Sequence, residues 1–563
     1  MSDPKELKKG AVVSATYDMI LQVGLRILSF ILNAFIVRHV SREVFAVMTV
    51  RLHLLYSTGL LLSREAFRRA ALSSKEFGEI HKVINLIWIG TLVSGPVCAL
   101  SWYIWLYIME RPPDTVTTNY NAGVVFMASS VIVEVAAEVP FVLAELQLWS
   151  KTKVVIEGLM QVLRSILLAA FVYLWPMQAV FVYGVSHILG SLFYCASYYG
   201  LFFKIFCSKE NAKQLPVREI RQLFPKWKQG KLLPEVNNEL GSLSWSFFKQ
   251  GWLMEALTEG ELYLMNFFPL ISLAQQGVYQ VVSNLGSLAA RLVFRSIETA
   301  AYKYYAQMIF RGKPITEQNQ DRIAAVVRFF SSLIRNMILI SIIILTFGWS
   351  YSSLLLQLYG GHQLSEGEGT PLMRAQCFYV VFLAINGITE SYTLAVMDDA
   401  QLSRYNRLLI LFSFAYLGTA VIFTQLFGVL GFVFANCINM GLRITYSYWF
   451  IHKQYQGSAF HPLISLYIQP RIILIFTFTL VLTAISEKTV YPRCITLHIG
   501  FGAMCLMAVI YFLRWEMKPL LEKILQFASK LLSRLGEQND HYDKEQFSKV
   551  LLVDKIHWLL YRI

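Results

Sequence analysis

Fourteen predominantly apolar runs follow one another along this 563-residue chain, at 15–38, 44–63, 83–108, 120–148, 154–174, 177–203, 243–268, 273–300, 325–358, 372–397, 408–426, 428–451, 471–486 and 494–513. A helix needs about 20 such residues to cross a bilayer. The succession therefore predicts an all-α polytopic membrane protein. Only 15% of the residues are charged against 56% hydrophobic, where a soluble chain would carry about a quarter charged.

The formal charge of +14 does not point to nucleic acid, because its basic residues sit in short loops between apolar runs. Lys5, Lys8 and Lys9 precede the first run, Arg68, Arg69, Lys75 and Lys82 follow the second, and Lys151 and Lys153 follow the fourth. The longest loop, after the sixth run, carries Lys204, Lys209, Lys213, Arg218, Arg221, Lys226, Lys228 and Lys231. The alternate loops at 175–178, 272–276 and 424–431 have no lysine or arginine. Positive loops stay cytosolic, so both termini are expected there. The basic opening MSDPKELKKG has no small-residue cleavage site after a short apolar run, which predicts a retained first helix.

The chain also divides into related halves. LNAFIVRHVSREVFAVMTV is echoed by FFPLISLAQQGVYQVVSNL at 267–285, Arg64–Glu65–Arg68 by Arg291–Arg295–Glu298, and Glu138 by Glu390. The expected organisation is a six-helix lobe at 1–203, a basic cytosolic linker at 204–240, a second six-helix lobe at 241–453, two last helices at 454–513, and a cytosolic tail at 514–563. The tail keeps leucines at helical spacing opposite lysines, which predicts an amphipathic helix on the membrane surface. Paired repeats with a site between them are a plan of secondary transporters.

Buried charge narrows the function. An arginine at bilayer depth costs at least about 2.5–3.5 kcal/mol, so it must face the bundle interior or a wet cavity. Gln22, Arg26, Ser29 and Asn33 share one face of the first run, and Arg38 and Arg51 follow. Arg64 and Arg68 stand four apart on one face, Glu65 and Arg69 on another; the second pair neutralises itself and leaves the first as a free cationic pair. In the second half Glu298 can pair with Arg295, leaving Arg291 free, and Arg443 lies inside the twelfth run. Carboxylates are available at Glu134, Glu138 and Glu145, at Glu255, Glu259 and Glu261, and at Glu390. The bland reading is arginine–glutamate pairing that fixes helix packing, with charges near run ends such as Arg38, Arg69, Lys303 and Arg328 snorkelling to headgroups. It is weakest for Arg26, Arg291 and Arg443, which cannot easily reach an interface. The sharper reading is an anion containing phosphate, which arginine recognises bidentately. A proton-coupled antiporter using Glu134, Glu138, Glu261 or Glu390 stays open.

No cofactor, metal or catalytic machinery is expected, and the chain is not read as an enzyme. The seven cysteines lie mostly in apolar runs without a CxxC pair and read as small hydrophobes. GFGAMC at 500–505 lacks the third glycine of a dinucleotide loop, and Walker A, HExxH and GxSxG patterns are missing. Cargo then moves passively or by coupling to another gradient.

The stretch LNAFIVRHVSREVFAVMTVRLHLLYSTGLLLSREAFRRAAL closely resembles the N-terminal signature of the Rft family, whose other blocks look like VIVEVAAEVPFVLAELQ at 131–147 and GVYQVVSNLGSLAARLVFRSIE at 277–298. The resemblance covers about 15 to 513, SREAFRR being its most specific part. It implies a flippase-superfamily fold, similar to multidrug and toxic-compound extrusion transporters, with two lobes around a central cavity. It also implies residence in the endoplasmic reticulum membrane and a dolichyl-pyrophosphate oligosaccharide, Man5GlcNAc2-PP-dolichol, as the cargo translocated for N-glycosylation. Arg38, Arg64, Arg68, Arg69, Arg291, Arg295 and Arg443 would be head-group contacts; Arg26 and Glu261 join them from the reading of the residues alone. The other expectations are a non-transporting lipid-binding or scaffold factor, with pathway proteins docked on the basic loop and tail, and the antiporter.

Overall fold

The computed structural model describes residues 27–73, 80–113, 118–147, 149–207, 217–226, 238–268, 270–288 and 290–513, with Gly24, Pro234 and Val236 besides. Gln22 and Arg26, most of the basic linker and the tail helix expected after 513 lie outside the described residues. Every regular element among the described residues is helical.

Helix α1 (Ile27–His39) leads into α2 (Arg42–Ser73), which Ser41 caps by accepting the Val44 N–H at 3.3 Å. Two π segments, Val47–Leu52 and Leu61–Glu65, interrupt α2. Each turns the following side chains to a new face, and π segments recur at functional sites. Helix α3 (Ile80–Ile108) follows. Helices α4 (Tyr120–Val135) and α5 (Glu138–Leu146) follow each other with a bend of 41°; Pro140 sits in the first turn of α5, where a missing N–H costs no internal bond. Next come α6 (Ser150–Leu174) and α7 (Ala179–Cys207). Glycines let α4 and α7 approach backbone to backbone, since a Cβ on Gly184 would stand 2.7 Å from the Gly123 carbonyl oxygen.

The seventh run is two helices, α8 (Asn238–Thr258) and α9 (Gly260–Phe267), broken at Glu259. The eighth is likewise split into α10 (Leu273–Gly286) and α11 (Arg295–Met308), the latter preceded by a π segment, Ala290–Phe294. Then follow α12 (Gln320–Gly360), α13 (Gly369–Val396), α14 (Asp399–Phe427), α15 (Leu430–Gln454), α16 (Pro470–Thr489) and α17 (Ile495–Phe512). Gly428, at φ +60°, makes the turn from α14 to α15 that a side chain would strain. Against the fourteen runs, nine helices among the described residues are long and apolar enough to cross a bilayer, and ten if the α4–α5 pair is one span. The other runs fall on shorter, interrupted or less apolar helices, or partly outside the described residues.

The chain packs as two compact units: Met1–Leu285 with Ser353–Leu372 and Leu409–Asn436, and Gly286–Ser352 with Met373–Leu408 and Cys437–Ile563. The first has a core of Phe141, Val142, Tyr194, Tyr198 and Phe202. Part of the basic segment is built into it: the Trp88 indole donates to the Leu223 carbonyl at 2.8 Å, the Lys226 N–H to Asn85 at 3.0 Å, and Phe224 stacks on Trp88. In the second, Tyr305, Phe330 and Tyr392 pack together, and Leu339, Ile472, Phe476 and Val509 form a further cluster. Burial separates inner from outer helices. Helix α2 hides 78% of its most apolar stretch and α17 only 17%, leaving Leu497, Met504 and Met507 of α17 exposed.

Candidate functional site

In the first unit α2 meets the α4–α5 bend through charge. From the second π segment Arg64 donates to Glu134 at 2.9 Å and to Glu65 at 3.3 Å, with its Nε 3.8 Å from Glu138. One turn later Arg68 closes a fork on Glu138, Nε to Oε2 at 2.8 Å and Nη2 to Oε1, with its guanidinium 3.9 Å above the Phe141 ring. Glu134 also accepts from the Tyr56 hydroxyl at 2.5 Å and from Arg164 of α6 at 2.8 Å. Arg164 itself donates to Tyr56 at 2.8 Å and to Ser191 of α7 at 2.7 Å.

Arg64 and Arg68 are therefore not the free pair that spacing along one helix suggested. Their carboxylates arrive from α4 and α5, which an i, i+4 pattern within α2 cannot see. Both arginines keep some exposure, at 16% and 15% of the side chain, while Glu134 and Glu138 are sealed. Arg164 was not anticipated. Its signal is there, as a lone cation in the middle of an apolar run, with Gly190 on α7 where a Cβ would overlap its side chain. With Glu65 and its second partner Arg69 included, four guanidiniums face three carboxylates in this linked group. The Nε of Arg64 and the Nε of Arg164 are buried without a hydrogen-bond acceptor among the described residues.

The second unit repeats the chemistry on α13, α14 and α15. Arg443 Nη2 reaches both oxygens of Glu390, at 2.6 and 2.8 Å. The Tyr405 hydroxyl donates to the same carboxylate at 2.7 Å and Asn386 at 2.8 Å. Beside this pair lies a cavity of about 540 Å³, lined by Arg295, Glu298, Thr299, Tyr302 and Asn386 among others. Glu298 rests against Gly387, where a Cβ would collide with its carboxylate.

The remaining predicted residues are placed as follows. Arg38 donates to the carbonyls of Leu358 and Tyr359 (the first a very short contact, the second at 3.2 Å), compensating the negative end of α12. Arg69, nearly half exposed, stands 3.8 Å from Glu65, as spacing implied. Arg51 is buried and donates to the Glu110 carbonyl. Glu261 in α9 accepts from Tyr416 at 3.2 Å and Asn436 at 3.5 Å, and its other oxygen has no hydrogen-bond partner among the described residues. Arg291 falls in the π segment before α11, and Arg26 lies outside the described residues. Among the described residues no three His, Cys, Asp or Glu side chains are grouped to hold a metal ion.

The family model described as Rft-1, Rft protein, matches residues 11–526. The chain belongs to the Rft family. Within it, the Mus musculus protein named Man(5)GlcNAc(2)-PP-dolichol translocation protein RFT1 is 37% identical over 499 residues, spanning 87% of this chain and 92% of its own. The Xenopus tropicalis protein of the same name is 36% identical over 96% of this chain and 99% of its own. Among solved structures, an inward closed lipid II flippase MurJ superposes with a TM-score of 0.57 at 12% identity, covering 89% of this chain and 99% of that one. An inward-facing multidrug resistance MATE transporter gives 0.55 at 12% identity, over 78% and 100%. The Rft chain thus has the all-α, flippase-like membrane fold.

Proposed function

We propose that this Rft-family chain is a transporter and not an enzyme. It moves the dolichyl-pyrophosphate oligosaccharide Man5GlcNAc2-PP-dolichol from the cytosolic to the lumenal leaflet of the endoplasmic reticulum membrane for N-glycosylation. The family and the names of its full-length relatives support the cargo. The observation that carries the reading is the state of Arg64 and Arg68. Inside apolar helices Arg64 pairs with Glu134 and Arg68 forks on Glu138, yet both remain partly exposed. Phosphate offers the same bidentate acceptor geometry as a carboxylate, so pyrophosphate takes over donors that Glu134 and Glu138 hold at rest. Arg26, Arg38, Arg64, Arg68, Arg69, Glu261, Arg291, Arg295 and Arg443 are the proposed head-group contacts, while the polyprenyl tail stays among membrane lipids. The lobes at 1–203 and 241–453, cytosolic termini, and protein partners on the 204–240 segment and the tail complete the reading.

The test is leaflet-to-leaflet exchange in liposomes containing Man5GlcNAc2-PP-dolichol. Wild-type protein should accelerate exchange over protein-free vesicles, and an Arg64→Ala, Arg291→Ala double variant reconstituted at equal amount should not. No exchange from folded wild-type protein that still binds the lipid overturns the proposal.

A further inference from the structure

We infer that the cavity beside Arg443 in the second unit receives the sugar portion of the cargo rather than its pyrophosphate. This rests on the reading above and divides its head group by chemistry.

Charge is the first argument. The ionised groups lining the cavity are Arg295 and Arg443 against Glu298 and Glu390, which cancel. Arg443 is already neutralised, its Nη2 lying 2.6 and 2.8 Å from the two oxygens of Glu390, which Tyr405 and Asn386 also hold. Among the described lining residues a pyrophosphate meets two carboxylates and no surplus of cation, and like charges disfavour it. The group around Glu134 differs: its linked ion pairs set Arg64, Arg68, Arg69 and Arg164 against Glu65, Glu134 and Glu138, a surplus of one guanidinium.

The unused hydrogen-bonding atoms make the second argument. Around Glu134 the spare guanidinium atoms, Arg64 Nε and Arg164 Nε, are donors only. On the lining residues the unpartnered atoms, buried at rest, are one donor, Arg443 Nε, and one acceptor, Asn386 Oδ1, which a side-chain turn would bring to a ligand. A phosphate oxygen only accepts, and would leave Asn386 Oδ1 and the Glu298 carboxylate facing an unfavourable neighbour. A hydroxyl both donates and accepts, so a polyol satisfies the mixed set. Thr299, Tyr302 and Ser391 add further hydroxyls, and Leu383, Leu394 and Met440 supply apolar walls for the C–H faces of sugar rings. The volume, about 540 Å³, lies within the roughly 300–1,000 Å³ usual for small-ligand sites. Gly387 keeps the Glu298 carboxylate at the wall, since any side chain there would displace it.

The experiment uses the purified full chain in detergent and two probes: the free Man5GlcNAc2 glycan, without lipid or phosphate, and inorganic pyrophosphate. Saturation-transfer NMR reads magnetisation passing from protein to glycan. Wild type should saturate the glycan, and pyrophosphate should not compete. Glu298→Ala should weaken glycan binding about tenfold, the size expected for losing a charge-assisted hydrogen bond. Thr299→Trp, a bulky substitution on the cavity lining that removes neither member of the Arg443–Glu390 pair, should abolish it; equal thermal unfolding of the variants shows that folding is intact. Glycan saturation unchanged in both variants, or displaced by pyrophosphate, overturns the inference. Leaflet exchange of the whole lipid, measured in parallel, separates the two claims. Wild-type exchange without a cavity-dependent glycan signal removes only this inference. A cavity-dependent signal without exchange supports it and removes only the transport reading.

Discussion

At the scale of single residues, Glu134 shows how this chain keeps charge in an apolar bundle. Tyr56, Arg64 and Arg164 all donate to it within 2.9 Å, and removing one partner of such a buried group strands the other. Arg164→Ala should therefore cost about 3–5 kcal/mol, read as a fall in thermal unfolding temperature. Adding Glu134→Gln to that variant should recover much of the loss, because the stranded charge has gone. A double variant no more stable than the single would refute the coupling. The sequence made Arg64, Arg68, Glu134, Glu138, Glu390 and Arg443 stand out one at a time, as ions where ions are expensive. It did not pair them, since the partners of Arg64 and Arg68 lie 70 residues away on other helices. Arg164 has no charged residue three or four positions away in its own run, Glu157 standing seven before it; its partners Tyr56, Glu134 and Ser191 all come from other helices.

At the scale of elements, apolar runs announced where helices lie but not where they break. The 41° bend between α4 and α5, the interruption at Glu259 and the π segments of α2 occur in stretches whose composition reads as continuous helix. Arg64 lies in the second π segment of α2, and Glu134 and Glu138 flank the α4–α5 bend, so these two irregularities sit where the three charges meet. The docked part of the basic segment was equally hidden, because its anchors, Trp88 and Asn85, are an interior tryptophan and asparagine of α3. An Asn85→Ala, Trp88→Ala variant should release residues 217–226. Limited proteolysis would then cut within the segment several-fold faster than in wild type, with the other cleavage products unchanged. Unaltered cleavage would mean that these two contacts do not hold it.

At the scale of the whole molecule, the alternation of basic and lysine-free loops makes one global prediction. Glycosylation-acceptor tags placed at either terminus should stay unmodified in microsomes, whereas a tag in the 361–368 loop should be modified; modified termini would invert the orientation. The burial of α2, greater than that of any other candidate span, bears on how the molecule is made. Its arginines find their carboxylates 70 positions later in the chain. At about 5–20 residues per second, α2 waits on the order of 4–14 s for its counter-charges to be synthesised. During that interval the nascent helix must be shielded by the insertion machinery or lie near its water-filled channel. Truncated chains ending before α4 should consequently be degraded faster in pulse-chase experiments than chains extended through α5. The ion pairs that join these helices in the finished protein thus also set a deadline during its birth.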